Sequence, residues 1–282
     1  MAPQSFLSRL IPLRFRKSVP VVNHVVLNGA IGMGTPLRPA LTFKSTSEVL
    51  ERAFSKKGIA AVALSINSPG GSPVQSALIH TRIRELADEH KVPVLVFCED
   101  VAASGGYWLA CAGDEIYADE SSIVGSIGVI SAGFGFVDAI SKLGVERRVY
   151  TSGESKSMLD PFKPEKAEDV SHLQNLQADV HGAFKELVKS RRGNRLKGED
   201  GELFSGAFWS GRQALDKGLI DGLGHLHSVL KRRFGDKTVV RNVSAPQGWG
   251  LKRLGFGAAA PEIAAAALDA IETRALWSRF GL

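Results

Sequence analysis

The sequence lacks the features that mark several classes of protein. Only two of its 282 residues are cysteines, Cys98 and Cys111, so no disulfide framework can form and a reducing compartment is favoured. Because a membrane-spanning helix needs about 20 largely apolar residues and no such run is present, we expect none. A P-loop, HExxH, CxxC and GxSxG are also missing. We therefore expect neither a metal site nor a cofactor.

The residues that are present have an ordinary globular composition. Hydrophobic residues make up 44% and charged residues 23% of the chain, which excludes a disordered protein. The net charge of +6 is concentrated in residues 1–19, 185–197 and 231–241. No aromatic side chains interleave with the Arg-rich stretch 191–197, so stacking on single-stranded nucleic acid is not indicated. We expect no nucleic-acid partner.

Three parts of the chain differ in character. Residues 1–19 form a basic amphipathic leader, which predicts either peripheral contact with the cytoplasmic face of a membrane or a disordered extension. Residues 20–243 form the main domain. Residues 244–282 combine a Gly- and Pro-containing linker with an Ala-rich C-terminal tail. The expected location is cytoplasmic.

The main domain alternates short apolar runs with helical patterns. The runs predict strands at Val21–Leu27, Ile59–Ile66, Val92–Cys98, Glu115–Ala118 and Val145–Tyr150. Helices are predicted over Ser47–Lys57, from Pro73 to about His90 with Ser72 as N-cap, and over Pro164–Arg192, with shorter ones between the other strands. This rhythm indicates an α/β fold, with a mostly parallel sheet built from βαβ units and covered by helices.

Two Gly-Gly turns follow predicted strands. They are Asn67-Ser-Pro-Gly-Gly71 and Ala102-Ala-Ser-Gly-Gly106. In a parallel sheet both would lie at the carboxyl edge, where active sites usually form. Their backbone N–H groups can stabilise an oxyanion beside the hydroxyl of Ser104. The alternative is two ordinary turns in which Ser72 and Ser104 only cap helices.

A nucleophilic serine needs a base, and the residues alone do not identify one. None of the seven histidines lies in a recognisable catalytic context. A lysine can replace histidine if burial lowers its pKa, but composition does not choose among the many lysines.

Five segments decide between these alternatives, because together and in this order they resemble the signal peptide peptidase SppA family. They extend over roughly residues 20–235 and comprise Asn67–Gly71, Ala102–Trp108, Gly125–Ile130, Thr151–Lys156 with Asp160–Phe162, and Ser210–Leu215. The family consists of serine–lysine peptidases with a fold similar to those of Clp protease and crotonase. The chain resembles its short, single-unit form.

The resemblance implies a role for each matching residue. Ser104 matches the nucleophile, Lys156 the general base, and Ser126 a serine whose hydroxyl holds the lysine amine. The backbone N–H of Gly71 matches the oxyanion donor. Short family members form ring-like homo-oligomers, octamers among them, in which the lysine reaches the serine across a subunit boundary. No cofactor is implied.

The resulting prediction is a serine endopeptidase with a Ser–Lys dyad. Its expected substrates are extended or unfolded apolar peptides, remnant signal peptides among them. Two alternatives remain: a crotonase-like acyl-CoA enzyme, for which no carboxylate stands at a second Gly-rich turn, and an inactive scaffold of the same fold. The expected location is the cytoplasm, with the leader able to contact the cytoplasmic face of the inner membrane.

Overall fold

The computed structural model describes residues 19–32, 40–244 and 274–281, which contain eight strands, eight α-helices between residues 43 and 234, and a further short helix at 274–278. The strands are β1 (Val21–Asn28), β2 (Ala61–Ser68), β3 (Val94–Ala103), β4 (Glu115–Ala118), β5 (Ile123–Gly125), β6 (Phe208–Ser210), β7 (Gly222–Leu223) and β8 (Val239–Asn242). The helices are α1 (Phe43–Phe54), α2 (Pro73–His90), α3 (Gly105–Ala110), α4 (Val137–Lys142), α5 (Ala167–Arg192), α6 (Asp200–Leu203), α7 (Gly211–Asp216) and α8 (Leu226–Phe234). The predicted leader, except for its last residue, and most of the predicted linker and tail lie outside the described residues.

All eight strands belong to one sheet, with the order β6-β5-β3-β2-β1-β8; β4 also pairs with β3, and β7 pairs with β4. Every pair is parallel except β5 with β6, which is antiparallel. The long strand β3 organises the sheet, since its first half pairs with β4 and its last three residues pair with β5. The predicted α/β fold with a mostly parallel sheet is confirmed.

Alternating side chains of β3 pack into different cores. Val94 and Val96 belong to the main core, to which α1, α2, α3 and α5 contribute. Leu95 and Phe97 point the other way and pack against α8. Because both faces of β3 are covered, its sequence is an almost continuous apolar run rather than an alternating one.

Two predicted boundaries and one predicted strand can be compared with the structure. Helix α2 begins as predicted, with Ser72 as its N-cap and Pro73 in its first turn. Helix α1 begins at Phe43, earlier than predicted, because Thr42 and Ser45 form a capping box there. The predicted strand at Val145–Tyr150 is wrong: this segment is exposed and pairs with no strand among the described residues.

A buried ion pair fixes the end of α5 against the strands. The guanidinium of Arg192 is almost fully buried and donates to both carboxylate oxygens of Asp221, at 2.7 and 3.0 Å. Asp221 also accepts a hydrogen bond from the backbone N–H of Ile116 at the start of β4. Burial opposes ionisation of Asp221, but the hydrogen bond and charge of Arg192 outweigh it and lower the pKa of this carboxyl group.

Replacing this carboxylate tests its contribution to stability. Asp221→Asn leaves the Arg192 charge buried without its partner, so we expect a loss of about 3–5 kcal/mol in the free energy of unfolding at pH 7. The pKa of Asp221 is lower in the folded state than the ~3.9 of an unfolded chain. The stabilisation is therefore complete above that pH and disappears as the pH falls through the folded-state pKa.

Urea unfolding of wild type and of Asp221→Asn, at pH 7 and at pH 3, measures the difference in their free energy of unfolding. The matched control is Asp216→Asn, because Asp216 is exposed at the end of α7. It should change the free energy of unfolding by no more than about 0.5 kcal/mol. Equal midpoints for wild type and Asp221→Asn at pH 7 would contradict the assigned role of the ion pair.

Candidate active site

Ser104 lies between the last residue of β3 and the first residue of α3. Its backbone has φ 53° and ψ −121°, a region that non-glycine residues rarely occupy. Such a conformation costs on the order of 1–3 kcal/mol and persists only where the surroundings impose it. A sharp strand-to-helix turn of this kind presents a serine hydroxyl at the sheet edge, as a nucleophile requires.

The Asn67–Gly71 turn passes so close to Ser104 that its glycines cannot be replaced. A Cβ atom on Gly70 would lie 2.8 Å from Cβ of Ser104 and 2.9 Å from the backbone nitrogen of Gly105. On the other side, a Cβ on Gly106 would lie 2.5 Å from the carbonyl oxygen of Ser68. Both Gly-Gly turns therefore allow two strand ends to approach each other at backbone distance.

Gly71 is held beside the serine by pairing with the segment after β1. The N–H of Ile31 donates to the carbonyl of Gly70, and the N–H of Ser72 donates to the carbonyl of Ile31, both at 2.8 Å. Neither Gly71 nor Gly105 uses its backbone N–H in a hydrogen bond to another described residue. Both residues line the cleft at Ser104, so two N–H groups are available for an oxyanion.

Ser126 follows β5 directly and is buried, with a positive φ of 53° like that of Ser104. Two backbone hydrogen bonds fix its position relative to Ser104. The N–H of Ser104 donates to the carbonyl of Gly125 at 2.8 Å, and the N–H of Ser126 donates to the carbonyl of Ala207 at 2.7 Å. The structure thus brings together three of the predicted residues: Gly71, Ser104 and Ser126.

Lys156 is not among the residues that line the Ser104 cleft in the described part of the chain. It is exposed, in a turn where its N–H donates to the carbonyl of Gly153. This turn belongs to residues 129–166, which we call the arm. The single chain therefore brings Ser104, Gly71 and Ser126 together, but it leaves Lys156, the predicted base, on the surface.

The arm has contacts of its own but little burial. The Phe136 and Phe162 rings stack at 5.4 Å, and Arg147 lies over Phe162 while pairing with Asp160 at 3.1 Å. Several large apolar side chains of the arm are nevertheless exposed: Ile130, Phe134, Leu143, Val145 and Tyr150. Exposed apolar side chains grouped in one segment are typical of interaction surfaces.

The cleft beside Ser104 is narrow and has an apolar wall. Its volume is about 20 Å³, and Trp108, Val180 and Phe184 form the wall that faces the glycine turns. The Trp108 and Phe184 rings of this wall stack on each other, with 4.7 Å between their centroids. The sequence did not single out Val180 and Phe184, because their helix α5 begins more than sixty positions after Ser104 and only the fold brings it to this site.

No histidine is among the described residues that line the Ser104 cleft. His80 is buried in α2, where desolvation and then the charge of Arg191 lower its pKa to about 4. The Nε2 of His181 lies 3.1 Å from the carbonyl oxygen of Ile127, next to Ser126. Within the described ranges no three His, Cys, Asp or Glu side chains gather as metal ligands.

Comparison with known proteins identifies the family of this chain. The model of peptidase family S49 matches residues 87–239, which is more than half of the chain. The chain belongs to this family. The match includes Ser104, Ser126 and Lys156, and it begins after Gly71.

A relative agrees with this membership, and a solved structure has the same fold. A putative signal peptide peptidase SppA of Enterococcus faecium is 31% identical over 216 residues, which are 73% of this chain and 61% of the relative. The structure of the 1510-N membrane-bound stomatin-specific protease superposes with a TM-score of 0.51 at 15% identity, covering 81% of this chain and 99% of that one. The predicted Clp protease/crotonase-like fold is confirmed.

A further relative carries a different name. A protein of Brucella abortus called Na(+)/H(+) antiporter NhaA is 52% identical over 287 residues, which are 98% of this chain. This chain spans only 39% of that relative's length, so its name refers to a protein of which most lies outside the match. Across the residues that the structure describes, no helix is long and apolar enough to span a bilayer.

Proposed function

We propose that this S49 family member is a serine endopeptidase in which Ser104 and Lys156 form the catalytic dyad. The Ser104 hydroxyl attacks the scissile carbonyl and passes its proton to the neutral amine of Lys156. The N–H groups of Gly71 and Gly105 hold the resulting oxyanion. The lysine then protonates the leaving amine, and a water molecule hydrolyses the acyl-enzyme by the same route. The observation that carries this proposal is the strained Ser104 turn beside two unused backbone N–H groups.

We propose further that Lys156 reaches Ser104 from a second copy of the chain. The support is that Lys156 is exposed while Ser126, which would hold its amine, lies buried beside the nucleophile. The arm that carries Lys156 also exposes apolar side chains such as Phe134 and Tyr150. A homo-oligomeric ring would bury this surface and complete the site in one step. The octameric number, the cytoplasmic location and the role of the leader stay predictions.

Single substitutions test the dyad. Ser104→Ala removes the nucleophile and Lys156→Ala removes the base, so each should reduce hydrolysis of a short fluorogenic peptide by several orders of magnitude. Since the two residues act as one unit, the double variant should be no worse than either single variant. A fluorophosphonate probe followed by mass spectrometry should label wild type at Ser104.

The matched control is Lys163→Ala, because Lys163 is another exposed lysine of the arm. It should keep near-normal turnover. Loss of activity in a histidine variant together with near-normal turnover in Lys156→Ala would refute the serine–lysine assignment. Absence of both peptide hydrolysis and labelling in folded wild type would favour the acyl-CoA or scaffold alternatives.

Mixing the two inactive variants tests the contribution of a second copy. When Ser104→Ala and Lys156→Ala subunits reassemble together, about a quarter of the intersubunit sites should contain both an intact serine and an intact lysine. We therefore expect activity to return in the mixture although neither parent is active. A mixture that co-assembles, as shown by size-exclusion chromatography with two tags, and stays inactive would show that the lysine acts within its own chain.

The size of the cleft also limits the substrate. A space of about 20 Å³ accommodates a group of roughly the size of one water molecule or methyl group. The wall formed by Trp108, Val180 and Phe184 is apolar, so a charged group would lose its hydration there. We propose that the residue on the acyl side of the scissile bond is small and uncharged, such as alanine, in an extended apolar peptide.

A peptide series with one varied residue measures this preference. Alanine at the cleaved position should give kcat/KM at least about tenfold higher than leucine. Val180→Ala shortens a side chain of the wall and so widens the cleft. It should raise kcat/KM for the leucine peptide relative to the alanine peptide. Leu176→Ala is the control, because Leu176 lies on the same helix but is exposed and does not line the cleft. Equal kcat/KM for the two peptides with wild type would contradict the proposed size limit.

A further inference from the structure

The end of the chain returns to the strands that carry the two active-site serines. Residues 274–281 form a short helical segment, which we call the C-terminal clip. Its Phe280 is 8% exposed and forms a separate apolar cluster with Val101 and Ala103 of β3, both fully buried. Ile123 of β5 and Trp277 of the clip complete the cluster.

The clip also contacts the neighbouring strand β6. The Phe280 ring meets the Phe208 ring edge-on, with 5.1 Å between centroids. Phe208 pairs with Gly125 in the antiparallel β5–β6 ladder. The clip therefore contacts all three strands at this end of the sheet: β3, β5 and β6.

These are the strands whose ends hold the catalytic serines. Ala103, in the Phe280 cluster, directly precedes Ser104. Gly125 accepts the hydrogen bond from the N–H of Ser104 and directly precedes Ser126. Phe208 directly follows Ala207, whose carbonyl accepts the hydrogen bond from the N–H of Ser126. Each backbone bond that fixes a serine thus lies within one residue of a side chain covered by the clip.

The end of the sheet formed by β3, β5 and β6 needs additional packing to be rigid. Strands β5 and β6 have three residues each, and so short a pair gains little from its own ladder. Helix α8 packs against Leu95 and Phe97, which are further back along β3. Both serines have φ 53°, a strained conformation that relaxes unless its surroundings are rigid.

We propose that the C-terminal clip is a positioning element for the active site, and that Phe280 is its anchoring residue. By packing against Val101, Ala103 and Phe208, the clip keeps the ends of β3, β5 and β6 in register. The relative placement of Ser104 and Ser126 then depends on the far end of the chain. This inference rests on the proposed serine–lysine mechanism, and it assigns the clip a role in rate rather than in substrate binding.

The test compares full-length variants in steady-state kinetics with a short soluble peptide. Phe280→Ala removes the anchor and should lower kcat at least about tenfold with little change in KM, since small misplacements of reacting groups cost up to about 100-fold in rate. Phe280→Leu keeps an apolar anchor and should restore most of the rate. Arg274→Ala, an exposed position of the same clip, is the control and should behave as wild type.

Two further measurements separate positioning from a general loss of stability. Amide hydrogen exchange should become faster at residues 101–104 and 123–126 in Phe280→Ala, while exchange in α1 and α2 stays unchanged. A chain that lacks residues 274–282 should regain kcat when a synthetic peptide of those residues is added at increasing concentration. This rescue keeps the test decisive if Phe280→Ala itself folds poorly.

The outcomes distinguish the inference from the mechanism on which it rests. If wild type is active but carries no probe at Ser104, the proposed mechanism fails. If Ser104 is labelled in wild type and the truncated chain keeps its kcat, or gains activity as it would on losing an inhibitory tail, the clip has no positioning role. A uniform increase in hydrogen exchange across the domain, without rescue by the peptide, would show that the clip only stabilises the fold.

Discussion

The hydrogen bond from the N–H of Ser104 to the carbonyl of Gly125 is the contact on which the active site depends. It joins the ends of β3 and β5 where each strand leaves the sheet, and it sets the spacing between Ser104 and Ser126. Both serines have a positive φ, so their local conformation would relax in an isolated peptide. The surrounding sheet must therefore supply the rigidity, and the paired strands, the Gly-Gly turns and the C-terminal clip all act at this place.

Glycine is required here for close approach as much as for backbone freedom. Gly70 and Gly106 let one turn pass over the other without a side chain between them. Gly71 and Gly105 line the cleft at this point, and their N–H groups donate to no other described residue, so they remain available for the charge of a tetrahedral intermediate. Packing and chemistry thus impose the same requirement, since an alanine at Gly70 would force the turn away from Ser104 and move the oxyanion donors with it.

The sequence predicts the parts of this protein that depend on local pattern. Apolar runs predict β2 and β3, and Ser72 with Pro73 predicts the start of α2, because caps and buried strands have short-range signatures. The motifs around Ser104 and Ser126 gain their meaning from the family resemblance. Contacts between distant segments were not predictable: Val180 and Phe184 reach the cleft from α5, and Phe280 reaches β3 from the end of the chain. The apolar pattern of Val145–Tyr150 led to a wrong prediction, because no strand among the described residues pairs with this segment.

The proposed machinery divides into two parts that differ in burial. The nucleophile, the oxyanion donors and Ser126 are built into the sheet, and Ser104 N–H and Ser126 N–H are both fixed by backbone hydrogen bonds. Lys156 lies instead on the exposed arm. The Phe136 and Phe162 rings stack on each other within the arm, but this contact does not bury the arm in the domain. A lone subunit with this division would carry a positioned serine without a base. Hydrolysis would then begin only on assembly, when the surface that buries the apolar arm also encloses the cleft, so a newly synthesised monomer would not cleave other unfolded chains.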